Sequence, residues 1–467
     1  MKYKFGFDGS GGHAIFTQKK NEQTNNLILS MFCPLELKTD NGDAVWIQHL
    51  PNTPKTQRAL MIQTGKENVN SLQSQALFND DIRAAQENGF ILNLNSRQIK
   101  VKATCASYMM DRKASDLYLG TGVAYCDLWK FEKDQLYDPL LIQSGILITR
   151  TVEDLHNIFN ELKNDDGSIR KKKKDYDTRT GITTAPIAAN EAHSTQVLHA
   201  LLRCTDMYMR CIVHIHAGVF EWTEAKANSN LFLKRSKETL QQILLLELGG
   251  IRWDFADSTG HSGNTTTGNT ARRLLHCSHT RTSLINTLPQ RYQQRMSEFG
   301  MKLSVILRIM SSKKKVNVEA YKQFCIDLNM HIITQFPREI SRTLPGPWVS
   351  ITPSLHKVLA HSWELIMLNE GFGLGSLDES GLEGNNKILR GIRTKLSRKN
   401  SQQNNLEDTL HRLWLESDPV VNSEKVKGKA YCTECKVRGH STRYCPVRDV
   451  KEGPLALEEA LFQSLLE

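Results

Sequence analysis

The densest chemistry in the chain lies near its C-terminus, in Cys432-Thr-Glu-Cys435-Lys-Val-Arg-Gly-His440-Ser-Thr-Arg-Tyr-Cys445. The spacing C-x2-C-x4-H-x4-C offers three thiolates and one imidazole, a full tetrahedral shell for Zn²⁺ in a closed structural site. Gly439 allows the tight turn that brings the second half back. So short a segment has no core of its own, and metal binding, about 10–16 kcal/mol in zinc-finger peptides, supplies most of its folding energy. The pattern is that of a zinc knuckle, a module that commonly grips single-stranded nucleic acid. Lys436, Arg438 and Arg443 offer phosphate contacts, and Tyr444 a stacking ring. The same staple also serves protein-binding modules, so the spacing fixes the metal and leaves the partner open.

Three carboxylates stand where the chain changes character. Asp8 closes the alternating run Tyr3-Lys4-Phe5-Gly6-Phe7 and opens the turn Asp8-Gly9-Ser10-Gly11-Gly12. Asp111 ends a strand candidate, and Glu383 precedes a basic helix. Nothing local sets any of them apart. Asp8 is also an ordinary turn residue and Asp111 an ordinary cap. Glu383, with Lys387 four residues on, is also half of a solvated i,i+4 ion pair.

The elements that must position these groups follow from the apolar pattern. Strands are expected at 3–7, in NLILSMFCPLEL, in AVWIQHL and over 99–110. Residues 66–88 read as helical. Helical spacing returns over 194–222, 229–248, 271–310 and 317–335, and 385–399 reads as a basic helix. The stretch 164–180 is a charged linker, and 255–270 is a Gly/Ser/Thr loop. Strands first and helices after suggest an α/β unit with a large helical insertion. The 467 residues allow two or three domains, or one enlarged domain. The net charge of +10 fits nucleic acid and equally fits a solvated surface. There is no run of about 18 apolar residues, so no membrane span is expected. The N-terminus has no apolar signal core, and ten cysteines are too sparse for a disulfide scaffold; a reduced, intracellular compartment is expected. The run Lys171–Lys174 reads equally as a nuclear-import signal or a soluble linker. His214, His216, His276 and His279 lie on apolar or helical stretches and read as structural.

Taken together, the carboxylates acquire a second meaning. ITPSLHKVLAHSWELI, followed by LDESGLEGNNKILRGIRTKLSRK and LEDTLHRLWLES, resembles the segment around the catalytic glutamate in the recombination-activating V(D)J recombinase subunit and the Transib DNA transposases. H-K-x-L-A-H, then E-x-x-N-K, puts Glu383 in that role. The opening F-x-F-D-G-x-G resembles the strand with the first catalytic aspartate, Asp8. Tyr108-Met-Met-Asp111-Arg-Lys-Ala resembles the strand with the second, Asp111. The similarity is patchy and runs over most of residues 1–415.

The resemblance implies an α/β architecture: an RNase H-like catalytic core split by a large, mostly helical zinc-binding insertion, plus the C-terminal CCHC knuckle. The first part of the core then covers 1–160, the insertion 161–375 and the catalytic-glutamate helix 376–415. A linker over 416–430, the knuckle over 431–447 and an acidic tail over 448–467 follow. It implies two Mg²⁺ or Mn²⁺ ions per active site, held by Asp8, Asp111 and Glu383. One activates the attacking water or 3′-hydroxyl, and the other stabilises the leaving oxygen as a DNA strand is cut. It also implies a second Zn²⁺ at Cys126, His356 and His361. Trp129 stands where the family has another cysteine, which leaves Asp127, Cys105 or a water as the fourth ligand. Lys387, Arg390, Arg393 and Arg398 are expected to contact the DNA backbone. The family works in the nucleus as a homodimer, with an accessory recombinase subunit. Its members extend far upstream of the first catalytic strand, so this chain is expected to be a truncated copy or to read DNA elsewhere. A non-catalytic nucleic-acid-binding protein derived from such an enzyme, working through its knuckle, is the alternative.

Overall fold

Strand β1 (Lys2–Ser10) turns Tyr3, Phe5 and Phe7 into one buried apolar layer and its even-numbered side chains to the opposite face. β2 (Leu27–Lys38) is apolar on both faces, as a strand covered from both sides must be. A computed structural model describes residues 1–10, 26–73, 77–122, 126–129, 150–164, 181–188, 193–217, 230–246, 248, 250, 251, 253, 267–336, 352–424 and 456–467. The remaining strands are β3 (Ala44–Ile47), β4 (Arg58–Thr64), β5 (Phe90–Leu94), β6 (Arg97–Val101) and β7 (Thr104–Met109). The helices are α1 (Val69–Gln73), α2 (Leu77–Glu87), α3 (Arg112–Leu119), α4 (Val152–Leu162), α5 (Val197–His216), α6 (Asn230–Leu246) and α7 (Gly268–Leu275). They continue with α8 (Ser278–Asn286), α9 (Gln290–Ser311), α10 (Val318–Gln335), α11 (Ser380–Lys395), α12 (Gln402–Glu416), α13 (Pro419–Glu424) and α14 (Ala456–Ser464). The protein is thus mixed α/β, with more helix than strand.

The chain divides into two compact units. The first comprises Met1–Leu136, Ile146–Val197 and Leu374–Val426; the second comprises Tyr137–Gly145, Leu198–Gly373 and Lys427–Glu467. The first is built on a sheet of order β3-β2-β1-β7, with β4 also paired to β2. β1 and β2 are antiparallel, β1 and β7 parallel, and Tyr108 of β7 makes a further parallel bridge to Ser194. One face packs Tyr3, Phe5, Phe7, Ile28 and Tyr108 against α3 and α4 through Tyr118 and Leu155. The other packs Leu27, Leu29, Met31 and Met109 against Leu382, Leu389 and Ile392 of α11 and Leu413 of α12. At Gly6 an added Cβ would sit 2.0 Å from the carbonyl oxygen of Met109. Only glycine lets β1 and β7 approach this closely.

Three sequence expectations are corrected. The strand read over 99–110 is two strands with different partners: β6 forms a hairpin with β5, whereas β7 joins β1. Both halves are apolar enough to read as one run, so the change of partner leaves no mark in the pattern. The basic helix read over 385–399 starts at Ser380 and ends at Lys395, so Glu383 lies inside its first turn. The helical pattern of 271–310 is broken into α7, α8 and α9, the last entered through Pro289, as suits a proline at a helix start.

The second unit is helical among its described residues. α9 buries Phe299, Leu303, Val305, Ile306 and Ile309. Among the described residues, no helix is long and apolar enough to cross a membrane.

Candidate functional site

The parallel β1–β7 register runs towards two of the carboxylates. Lys4 is opposite Ser107, Phe5 opposite Tyr108 and Gly6 opposite Met109. The register ends there; Asp8 lies two residues further along β1, and Asp111 two residues beyond the end of β7. Asp111 then caps α3, accepting the Ala114 N–H at 2.7 Å. Glu383 approaches from α11, which packs on β1. Asn386, one turn after Glu383, donates from Nδ2 to Asp8 Oδ2. Residues three apart share a helix face, so Glu383 stands on the side of α11 that meets Asp8.

A fourth carboxylate belongs to this corner. Glu67, between β4 and α1, pairs with Lys113 of α3 at 3.0 Å, and an added Cβ on Gly9 would lie 3.3 Å from its Cβ. Burial raises the pKa of Glu67, and the charge of Asp111 raises it further; Lys113 and the Gly9 N–H oppose this. Glu67 falls within the stretch read as helical from 66, where a carboxylate reads as solvated; the helix starts only at Val69. Among the described residues, Asp8, Asp111 and Glu383 do not bring their carboxylate oxygens within 4.8 Å of one another. Each of Asp8, Asp111 and Glu67 is turned to a protein donor.

The second cluster owes its geometry to a local defect in a helix. Pro353–His356 and Ser362–Leu368 are α-helical, but Lys357–His361 between them is a π-helical turn. In a regular α-helix, residues five apart point about 140° away from each other. The wider π turn swings them onto one side. His356 Nε2 and His361 Nε2 consequently stand 3.2 Å apart, both rings buried. His361 donates from Nδ1 to Glu364 Oε2 at 2.8 Å, which turns its Nε2 lone pair towards His356. A carboxylate behind a ligating histidine is the usual support of a metal site. Glu364 was also missed, although its i,i+3 spacing from His361 was visible in the sequence. Cys126 is buried too, and with His356 and His361 it makes a candidate ligand group. This group could bind a metal such as zinc: one soft thiolate and two imidazoles suit that ion.

The proposed fourth ligands of that group have other engagements. Asp127 accepts from Arg112 Nη1 at 2.9 Å, and Arg112 also pairs with Asp116 at 2.8 Å. Cys105 packs beside Tyr3, and burial lifts its thiol to about 12. Trp129 is fully buried.

The basic residues of α11 and its C-terminal extension divide by environment. Lys387 and Arg390 are exposed. Arg393 is 1% exposed and donates from Nε to Asn405 Oδ1 at 3.0 Å. Arg398 is exposed but engaged by Asp408, its Nε and Nη2 lying 3.0 and 2.9 Å from the two carboxylate oxygens. Cys432, Cys435, His440 and Cys445 lie outside the described residues, as does Lys171–Lys174. No protein-family model matches this chain, and no curated protein matches it.

Proposed function

We propose that the chain is a divalent-metal-dependent DNA-strand-cutting enzyme of the V(D)J recombinase and Transib transposase type. Asp8, Asp111 and Glu383 are its metal-binding carboxylates, with Glu67 beside them. The observation that supports this reading is the bond from Asn386 of the Glu383 helix to Asp8, on a strand that pairs in parallel with the one leading to Asp111. The mixed sheet, antiparallel in its hairpins and parallel at β7 and Ser194, supports an RNase H-like core.

Carboxylates are the donors that hard cations such as Mg²⁺ or Mn²⁺ require. Held by these carboxylates, such ions would lower the pKa of an attacking hydroxyl and offset charge on the leaving oxygen. The residues of the chain do the rest. The paired strands β1 and β7 lead to the aspartates, and α11 carries Glu383 towards them. Asp8 and Glu67 would hold cations in place of the bond to Asn386 and the pair with Lys113. Lys387 and Arg390, exposed on the same helix, grip DNA phosphates. Cys126, His356 and His361 hold a structural zinc, and Cys432, Cys435, His440 and Cys445 hold another. On this reading the chain acts on DNA in the nucleus, paired with a second copy and an accessory recombinase subunit.

Asp8→Asn and Glu383→Gln keep the shape of each side chain and remove its charge. Each should abolish Mg²⁺- or Mn²⁺-dependent nicking of a labelled duplex and leave DNA binding nearly intact. Wild-type nicking in both variants would sink the assignment. A wild-type chain that binds nucleic acid and never nicks would favour the non-catalytic reading. Zinc content measured by mass spectrometry should fall by about one per chain in Cys435→Ser and in His361→Ala.

A further inference from the structure

The side of β1 that carries Asp8 also carries a lysine that no solvent reaches. Lys4, four residues earlier and on the same face, is 0% exposed. Burying an ammonium is expensive unless its donors are satisfied. Its Nζ donates to the carbonyl oxygen of Asp378 at 2.7 Å and to Asn52 Oδ1 at 2.7 Å. Asn52 in turn donates from Nδ2 to the carbonyl oxygen of Gly375. Asp378 lies one residue before the cap of α11, and its Oδ1 accepts the Ser380 N–H at 3.2 Å. Lys4 and Asn52 therefore grip two carbonyls of the segment that launches the Glu383 helix.

A second attachment lies further along the helix, where Asn386 meets Asp8. Glu383 falls between the two. The helix also has no room to slide at its start. An added Cβ on Gly381 would sit 2.1 Å from Gln57 Nε2, and one on Gly384 2.8 Å from Pro54 Cγ. The pKa of Asp378 is raised by burial and by the neighbouring Glu379, while Lys4 pulls it down. An apolar side chain of the same length would fill the space of Lys4 at lower cost, since buried charges are often neutral or worse for stability. What it would not supply is a directed bond to Asp378.

Resting on the metal-site reading above, we infer that Lys4 is a positioning residue: it never touches metal or DNA, and it sets where Glu383 stands against Asp8. The test is Mn²⁺ binding to the full chain, read as loss of the free-ion signal in electron paramagnetic resonance, alongside thermal melts. Wild type, Lys4→Met, Asn52→Ala, Glu383→Gln and the Lys4→Met/Glu383→Gln double variant are compared. Lys4→Met should keep the wild-type melting temperature within a few degrees and weaken Mn²⁺ binding about tenfold, the low end for residues that support a ligand. Asn52→Ala should change in the same direction, and it answers the question if Lys4→Met does not fold. The double variant should bind no more weakly than Glu383→Gln alone, because Lys4 acts through Glu383. Folded Lys4→Met and Asn52→Ala with wild-type Mn²⁺ affinity would overturn the inference and leave the metal site standing. So would a double variant whose two losses simply add. A wild-type chain that takes up no Mn²⁺ would instead overturn the metal reading itself, and this inference with it.

Discussion

At the scale of the residue, the same arginine type serves opposite ends within one helix. Arg393 and Arg390 are three apart in a run that reads as uniformly basic, yet one is buried on Asn405 and the other exposed. Burial lowers the pKa of Arg393 to about 10, still charged at neutral pH. Arg393→Gln should cost stability, about 1–3 kcal/mol for stranding buried polar partners, with unchanged DNA affinity in the folded protein. Lys387→Ala and Arg390→Ala should do the reverse. Melting should be unmoved, and removing one phosphate-neutralising charge should flatten the log–log salt dependence of duplex binding by about 0.9. Chemical denaturation and a salt titration of binding separate the two behaviours. A drop in DNA affinity for folded Arg393→Gln would return that residue to the interface.

At the scale of the element, short helices carry more of the architecture than their length suggests. α14 has only nine residues, but Glu458 is fully buried and accepts from Arg281 of α8 and Ser304 of α9. Glu459 meets Arg308 at 2.5 Å, and the Arg308 guanidinium lies 4.3 Å from the ring centre of Phe462. Beyond the helix, Asn317 donates to the carbonyl oxygen of Leu465 at 3.0 Å. The C-terminus is thus locked into the helices of the second unit. Glu458→Ala would leave Arg281 buried and uncompensated, which typically costs 3–5 kcal/mol. Equilibrium urea unfolding should show a loss of about that size, and Glu459→Ala a smaller one because that pair is only part-buried. Equal losses would mean that Glu458 packs without carrying the charge balance.

At the scale of the whole molecule, two half-buried histidines set an acid limit. Burial, reinforced by Arg308, Arg272 and Arg281, lowers the pKa of His276 to about 3, and burial with Arg210 and Lys237 lowers that of His214 to about 4. Both pKa values lie below those of the unfolded chain, near 6.5. The unfolded state therefore takes up protons first as the pH falls. The contribution of each histidine is complete above about pH 6.5 and is lost progressively towards its folded pKa, at up to about 1.4 kcal/mol per pH unit. Urea midpoints measured from pH 7 to 5 should fall more steeply in wild type than in His276→Asn. Parallel curves would show that His276 is protonated in the folded protein.

The sequence by itself determined what depends on period and local chemistry. The alternation of Tyr3, Phe5 and Phe7 made β1, because a strand needs only a two-residue repeat to find its buried face. The helical repeat over 317–335 gave α10 with its limits almost unchanged. The candidate ligands Cys126, His356 and His361 were also legible, as residue types in a family-like spacing. Tertiary structure alone decided the rest. It split 99–110 between two sheets, because register is a property of partners and not of one strand. It drew Glu67 to Asp111 from the start of a stretch read only as a solvated helix. Lys4, in sequence one polar position of a half-buried strand, was closed over by a helix more than 370 residues away, and that enclosure made it a donor to Asp378. The π turn did the same for His356 and His361. Five residues apart, they point away from each other on any ordinary helix, and only the packed helix with its extra residue turned them together.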